Sequence, residues 1–304
     1  MNRNLVAKNW QDYECIDTGN GEKLERWKDV ILRRPDPQAI WPMEKEDTLW
    51  QKPHAHYHRS NKGGGNWEYI KKVKDQWTIQ YRDLIFKVSP TGFKHTGIFP
   101  EQAANWDYMI DKISHANREI RVLNLFAYTG GATMACAKAG ASEVVHVDAS
   151  KGMVSWAKEN MYLSHLENKK IRFIVDDVVK FVQREKRRGR TYHVIIMDPP
   201  SYGRGPNGEL WKIEEQLYPL VKACMEILDE HPLFFLINSY TTGFSATVLA
   251  NLLHATILKK YPEGKIQTGE IGLPITRTNT ILPCGIYGRW ETNEESKKEE
   301  TMAI

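Results

Sequence analysis

Asn124-Leu125-Phe126-Ala127-Tyr128-Thr129-Gly130-Gly131-Ala132-Thr133 is the stretch that decides the fold. The apolar run Arg121–Ala127 ends in a glycine pair, and Gly131–Ala139 then reads as a helix. A strand that turns through glycine into a helix opens a βαβ unit. Paired glycines let the backbone approach a ligand closely, and the unpaired N–H groups of the helix start face the same place. The spacing is not G-x-G-x-x-G, so a diphosphate is not predicted. Taken alone, the loop is better read as a tight βα turn with no ligand.

The same alternation continues on the C-terminal side. Strands are predicted at Glu143–Asp148, Ile171–Val175, Tyr192–Asp198 and Pro232–Tyr240, and helices at Ser150–His165, Val178–Arg188 and Trp211–Asp229. This order predicts a parallel sheet covered by helices on both faces, an α/β fold. Lys265–Leu273 and Thr280–Trp290 predict an antiparallel pair at the sheet edge. On the N-terminal side the chain reads as mostly β. Tyr13–Asp17 and Lys23–Leu32 flank Thr18-Gly19-Asn20-Gly21, a hairpin signal. Trp77–Gln80 and Leu84–Val88 predict a second hairpin, with Lys52–Trp67 between the two as loop. The expected plan is a small β-rich domain over 1–90, an α/β domain over 91–290 and a charged, disordered tail over 291–304.

Composition bounds the function classes. The chain has 304 residues, 41% of them hydrophobic, and a formal net charge of +4. That length and hydrophobic content allow a large core, and the mild charge permits a nucleic-acid partner without requiring one. No apolar run is long enough for a membrane span, and Met1–Trp10 lacks the apolar stretch of a signal peptide. Cys15, Cys136, Cys224 and Cys284 lie far apart. They are read as free thiols in a reducing cytoplasm. His54, His56 and His58 alternate, but no acid or cysteine beside them in sequence completes a metal set, so no metal is expected. Arg59, Lys62, Gly63–Gly65 and Trp67 form a basic loop, read as an RNA contact or a plain surface loop. The run Arg184–Arg190 reads as a solvated helix end.

In doubly wound sheets ligands bind beyond the carboxyl ends of the strands, so the residues after each strand matter most. Strand two ends in Asp148-Ala149-Ser150, where an acid suits a ribose diol and Ser150 supplies the helix cap. Strand three ends in Asp176-Asp177, with Asp177 read as accepting from an adenine amine and Asp176 as cap or solvated. Strand four ends in Asp198-Pro199-Pro200-Ser201-Tyr202. There two prolines fix the backbone and free their carbonyls, Asp198 accepts a proton or hydrogen bond, and Tyr202 stacks on a base.

These four strand ends together resemble the class I S-adenosylmethionine (SAM)-dependent methyltransferases, with their Rossmann-like seven-stranded fold. His95–Gln102, Leu123–Gly131, Asp176–Val178 and Met197–Pro200 further resemble the large-subunit ribosomal-RNA methyltransferases, a family that includes cytosine-C5 enzymes with an N-terminal PUA domain. The resemblance spans roughly 93–290 and implies SAM as cofactor and RNA as partner. It places SAM on Phe99, Gln102, Asn124, Phe126, Tyr128, Thr129, Gly130, Gly131, Thr133, Asp148, Ala149, Ser150, Asp176, Asp177 and Asp198, and the acceptor at Asp198, Pro199, Pro200 and Tyr202.

Two departures follow. No PUA domain is read, and the β-rich region is expected to match only that family's linker. The cysteine nucleophile, which in the resembling cytosine enzymes follows strand five, is replaced by Asn238-Ser239-Tyr240-Thr241-Thr242-Gly243. A base nitrogen is therefore the expected acceptor, although Ser201 separates the second proline from the aromatic. A small-molecule or protein acceptor, a nucleotide-dependent oxidoreductase and a non-catalytic RNA-binding factor are the other readings.

Overall fold

The computed structural model describes residues 3–43, 47–60, 64–92 and 95–293. Lys62, Gly63, Phe93 and the tail from 294 onward lie outside them. The N-terminal elements are β1 (Leu5–Val6), β2 (Tyr13–Gly19), β3 (Glu22–Trp27), β4 (Val30–Pro35), α1 (Thr48–Gln51), β5 (Ala55–Arg59), β6 (Gly65–Tyr69), β7 (Trp77–Tyr81) and β8 (Leu84–Val88). After the single turn Pro100–Gln102 come α2 (Ala103–Ser114), β9 (Arg121–Leu125), α3 (Gly131–Lys138), β10 (Glu143–Asp148), α4 (Lys151–Leu163), β11 (Ile171–Val175), α5 (Val178–Arg187) and β12 (Val194–Met197). The remainder is β13 (Tyr202–Arg204), β14 (Leu210–Lys212), α6 (Ile213–Cys224), β15 (Phe234–Ser239), α7 (Ala246–Ala255), α8 (Ile257–Lys260), β16 (Lys265–Ile275) and β17 (Thr280–Glu291).

One sheet carries the order β11-β10-β9-β12-β15-β17-β16-β2-β3-β4-β5-β6, with β1 beside β16. The strands from β11 to β15 are parallel. β17 runs antiparallel between β15 and β16, as the paired C-terminal runs predict. Apart from the edge strand β11, the parallel strands are buried along almost their whole length, because helices cover both faces. Alternate side chains enter different cores. Val122, Val144, Ile196 and Leu236 join one, and Leu123, Val145, Ile195 and Phe235 the other. Strand order reverses between β9 and β12, which opens a crevice at their carboxyl ends.

The N-terminal strands extend this sheet through the pair Ile275↔Cys15, and β1 pairs with β16. The β7–β8 hairpin docks on α4, where Ile85 N donates to Ser164 Oγ at 2.9 Å and Lys87 N to Asn160 Oδ1 at 2.9 Å.

Three expectations are corrected. Lys23–Leu32 is not one strand, since the chain turns at Lys28-Asp29, with Lys28 left-handed at φ 59°. Lys52–Trp67 is not all loop, since β5 and β6 pair from Ala55↔Tyr69 to Arg59↔Gly65. The helix expected from Trp211 starts at Ile213, because Leu210–Lys212 instead pairs with Tyr202–Arg204. The turn between them holds Gly208 at φ 89°.

The strap before α2 is locked at Gly97. Its φ is +104°, and a Cβ there would overlap the Trp156 ring. Its carbonyl accepts from Thr129 Oγ1. Gly97→Ala combines left-handed strain with overpacking and is expected to destabilise the fold by about 2–5 kcal/mol. The urea midpoint measures this, and an unchanged midpoint would show that the strap is not held as described.

Candidate active site

The loop after β9 is built on unusual backbone. Phe126 and Tyr128 are left-handed, at φ 54° and 51°, and Gly130 follows at 87°. Side chains pay strain in that region, and it persists only where neighbours hold it. Here Ala127 N donates to Val147 O at 3.0 Å and Tyr128 N to Asp148 Oδ2 at 2.9 Å. Gly131 has no room for a side chain, because a Cβ would stand 2.6 Å from Trp106 Cζ2. Beneath the loop, Asn124 Nδ2 donates to Thr133 Oγ1 at 3.0 Å, and Thr133 Oγ1 meets His146 Nδ1 at 2.9 Å. Burial pushes His146 down to about 3, so it is neutral.

Asp148 is held from both sides, since its Oδ1 also accepts from Ser150 N at 2.8 Å. Burial still raises its carboxyl above the ordinary range. Ser150 caps α4 through Met153 N. The capping half of the split assigned to the acidic pair is corrected. Asp177, not Asp176, caps α5, accepting from Lys180 N at 2.9 Å. Asp176 pairs with Arg184.

Two cavities meet at Asp198. The larger, about 420 Å³, brings together Phe99, Phe126, Tyr128, Asp148, Ala149, Ser150, Asp177, Asp198, Pro199 and Pro200. The smaller is lined by Phe99, Gln102, Asn124, Phe126, Tyr128, Thr129, Gly131 and Asp198. Gly130, Thr133, Asp176 and Tyr202 line neither. Burial, and then the neighbouring Glu101, push Asp198 up to about 7. The Pro200 carbonyl is not free as expected, because Trp211 Nε1 donates to it at 2.7 Å. Tyr202 is 56% exposed on β13, whereas its neighbours Ser201 and Gly203 line the larger cavity. The stacking role given to Tyr202 is therefore corrected.

Among the residues that sequence reasoning missed are His95, Trp211 and Tyr240 in the larger cavity and Asn238 in the smaller. Phe99 ties the aromatic ones together, with ring centroids 5.3 Å from His95, 5.4 Å from Tyr128 and 5.6 Å from Tyr240. The signal for Asn238 and Tyr240 was present: polar side chains at the carboxyl end of a buried apolar strand. No cysteine lines either cavity, and burial raises all four thiols.

Away from the cavities, His54 Nδ1 accepts from Ile31 N at 3.0 Å. His56 and His58 meet Glu22 and Glu68, each at 2.7 Å. The expectation that no acid stands near this run is thus corrected, and His56, His58 and Glu68 form a group able to hold a metal ion. In the basic run, Arg184, Lys186, Arg188 and Arg190 all have carboxylate partners.

Among the described residues, the larger cavity carries three carboxylates, Asp148, Asp177 and Asp198, against one guanidinium, Arg204. It lies within the size range of small-molecule sites, and its charge suits a cation rather than a diphosphate. A glycine turn, a carboxylate at each of three strand ends and flat apolar walls make the donor set of a SAM site on a Rossmann-like fold. The comparisons agree with this class. The family model for S-adenosylmethionine-dependent methyltransferases matches residues 53–216, and the chain belongs to that family.

Ribosomal RNA large subunit methyltransferase K/L of Shewanella frigidimarina is 28% identical over 204 residues, which cover 67% of this chain and 27% of that protein. Ribosomal RNA large subunit methyltransferase I of Cronobacter sakazakii is 40% identical over 132 residues, 42% of this chain and 31% of that one. The matches thus span about a third or less of these relatives. The SAM-dependent methyltransferase from Agrobacterium tumefaciens has a TM-score of 0.90 and 36% identity, covering 96% of this chain and 94% of its own. A protein solved in complex with SAH, at 18% identity and TM-score 0.68, shares the fold over 93% of this chain and 76% of its own. The protein is a SAM-dependent methyltransferase of α/β fold. Among the described residues no helix is long and apolar enough to cross a membrane.

Proposed function

We propose that this enzyme methylates an amino nitrogen of a base in large-subunit ribosomal RNA, in the cytoplasm. The carrying observation is Asp198, a partly buried acid on the shared wall of both cavities, with aromatic rings and no thiol around it. SAM supplies an electrophilic methyl group on a positively charged sulfur. Its ribose fits Asp148, with Ala149 and Ser150 beside it, and its adenine fits the slot of Asp177, Val178 and Phe126. Its methionine end fits the loop Tyr128–Gly131 above Asn124 and Thr133. Phe99 and Gln102 close the pocket from the strap.

A neutral amine that gains a methyl group must shed a proton. Asp198 is placed to accept from that amine and aim its lone pair. Tyr240, Phe99 and His95 are placed to stack on the base. A base in structured RNA would first be flipped out. Carbon methylation at cytosine needs a thiolate, and burial disfavours that form at every cysteine of this chain. The ribosomal substrate is supported by the relatives' names. Residues 1–90 are proposed to contact the RNA.

Tritium transfer from labelled SAM into ribosomal RNA of cells lacking the protein tests this reading. Label in one nucleoside supports it. Tight SAH binding without label moves the acceptor to a small molecule or protein.

The raised Asp198 carboxyl gives a pH test. The working form is ionised, so activity is lost as pH falls through about 7. kcat/KM for SAM is expected to fall about tenfold per unit below that point and to level off above it. A flat profile from about pH 5.5 to 8.5 would remove Asp198 from this role.

A further inference from the structure

A group of polar side chains, of which the reading above uses only Gln102 and Tyr240, meets behind Asp198. Glu101 is 5% exposed. Tyr240 stands close enough for their charges to couple, and Lys23 and Arg34 act on Glu101 from the N-terminal strands. Gln102 Nε2 donates to Tyr240 Oη at 2.7 Å. Asn105 Nδ2 donates to Gln102 Oε1 and to Asn238 Oδ1, both at 2.9 Å. Asp198 and Asn238 directly follow Met197 and Ile237, which pair across two adjacent parallel strands. The two residues therefore stand level at the carboxyl edge of the sheet, and both line the smaller cavity.

Donor and acceptor counting gives this chain a direction. An amide nitrogen only donates and an amide oxygen only accepts. As arranged, Asn105 uses both amide hydrogens, and its Oδ1 is a buried atom without a partner. Reversing every amide would instead orphan the Asn105 N–H2 group. A buried orphan donor is rarer than an under-satisfied carbonyl. With Asn238 Oδ1 occupied by Asn105, the Asn238 Nδ2 hydrogens are left for the cavity.

We propose that this chain presents Asn238 as a donor beside the acceptor Asp198, so that the pair reads an exocyclic amine next to a ring-nitrogen lone pair. The inference rests on the base-methylation reading. The amine would donate to Asp198 and the ring nitrogen would accept from Asn238. Adenine, cytosine and guanine carry such an edge, and uracil does not. Gln102, Asn105 and Tyr240 are positioning residues, and Asn238 sets specificity.

The test uses the full chain, labelled SAM, ribosomal RNA from cells lacking the protein, and SAH binding as a second readout. Asn238→Asp replaces the donor with an acceptor, and Asn238→Leu removes it without adding charge. Both are expected to bind SAH within about threefold of wild type and to transfer methyl to RNA about 100-fold more slowly, the discrimination expected of one base-edge contact. Tyr240→Phe, which keeps the ring, is expected to raise KM for RNA more than it lowers kcat. A wild-type product methylated on an exocyclic amine supports the proposal, and one methylated on carbon or on a ribose oxygen overturns it. Wild-type transfer rates in both Asn238 variants overturn it, as does a tenfold or greater loss of SAH affinity in both, because the donor would then serve the cofactor. Wild-type enzyme that binds SAH but labels no RNA overturns the base-methylation reading and the inference with it.

Discussion

Asp198→Ala is expected to slow methyl transfer about 1000-fold while leaving SAH affinity within a few-fold of wild type. The carboxylate stands where both cavities join, so its loss removes the acceptor that aligns the amine and takes its proton. Its burial beside Glu101 already holds it near neutrality, a state suited to proton transfer at physiological pH. Asp198→Asn keeps one carbonyl acceptor and is expected to retain part of the rate. Single-turnover transfer at saturating SAM, set against calorimetric SAH binding, measures both quantities. An equal loss in the two would place Asp198 in cofactor binding instead.

Asp148→Ala has the opposite signature, a fall in SAH affinity of about 100-fold. The carboxylate accepts from Tyr128 N and Ser150 N, so removing it leaves two donors unpaired, at about 1–3 kcal/mol each where buried. It also frees Tyr128, whose left-handed backbone is held through that bond. The ribose site and the glycine loop would loosen together. Calorimetry with SAH measures this, and an affinity within about threefold of wild type would show that the ribose is held elsewhere.

The parts of this site that were legible in the sequence lie where local chemistry is decisive. Buried parallel strands such as Val194–Met197 are apolar throughout, so an acid, glycine or proline at the end of each stands out. Asp148, Gly131 and Asp198 were found that way. The capping role of Asp177 was not, because two adjacent acids are locally equivalent and only the helix start separates them. The β5–β6 hairpin was missed although Ala55 and Tyr57, and Trp67 and Tyr69, alternate with polar residues, because each strand is short and stands in a stretch rich in histidine, glycine and asparagine. Tyr202 was misplaced because strand β13, paired with β14, was not foreseen. Asn238 and Asn105 are 133 residues apart, and nothing local announces that they meet.

The most direct test of the central claim compares nucleosides of large-subunit ribosomal RNA from cells with and without this protein by mass spectrometry. The account predicts that one nucleoside methylated on a base amine disappears without the protein and returns with wild-type enzyme but not with Asp198→Ala. Identical nucleoside profiles in the two RNAs would contradict it.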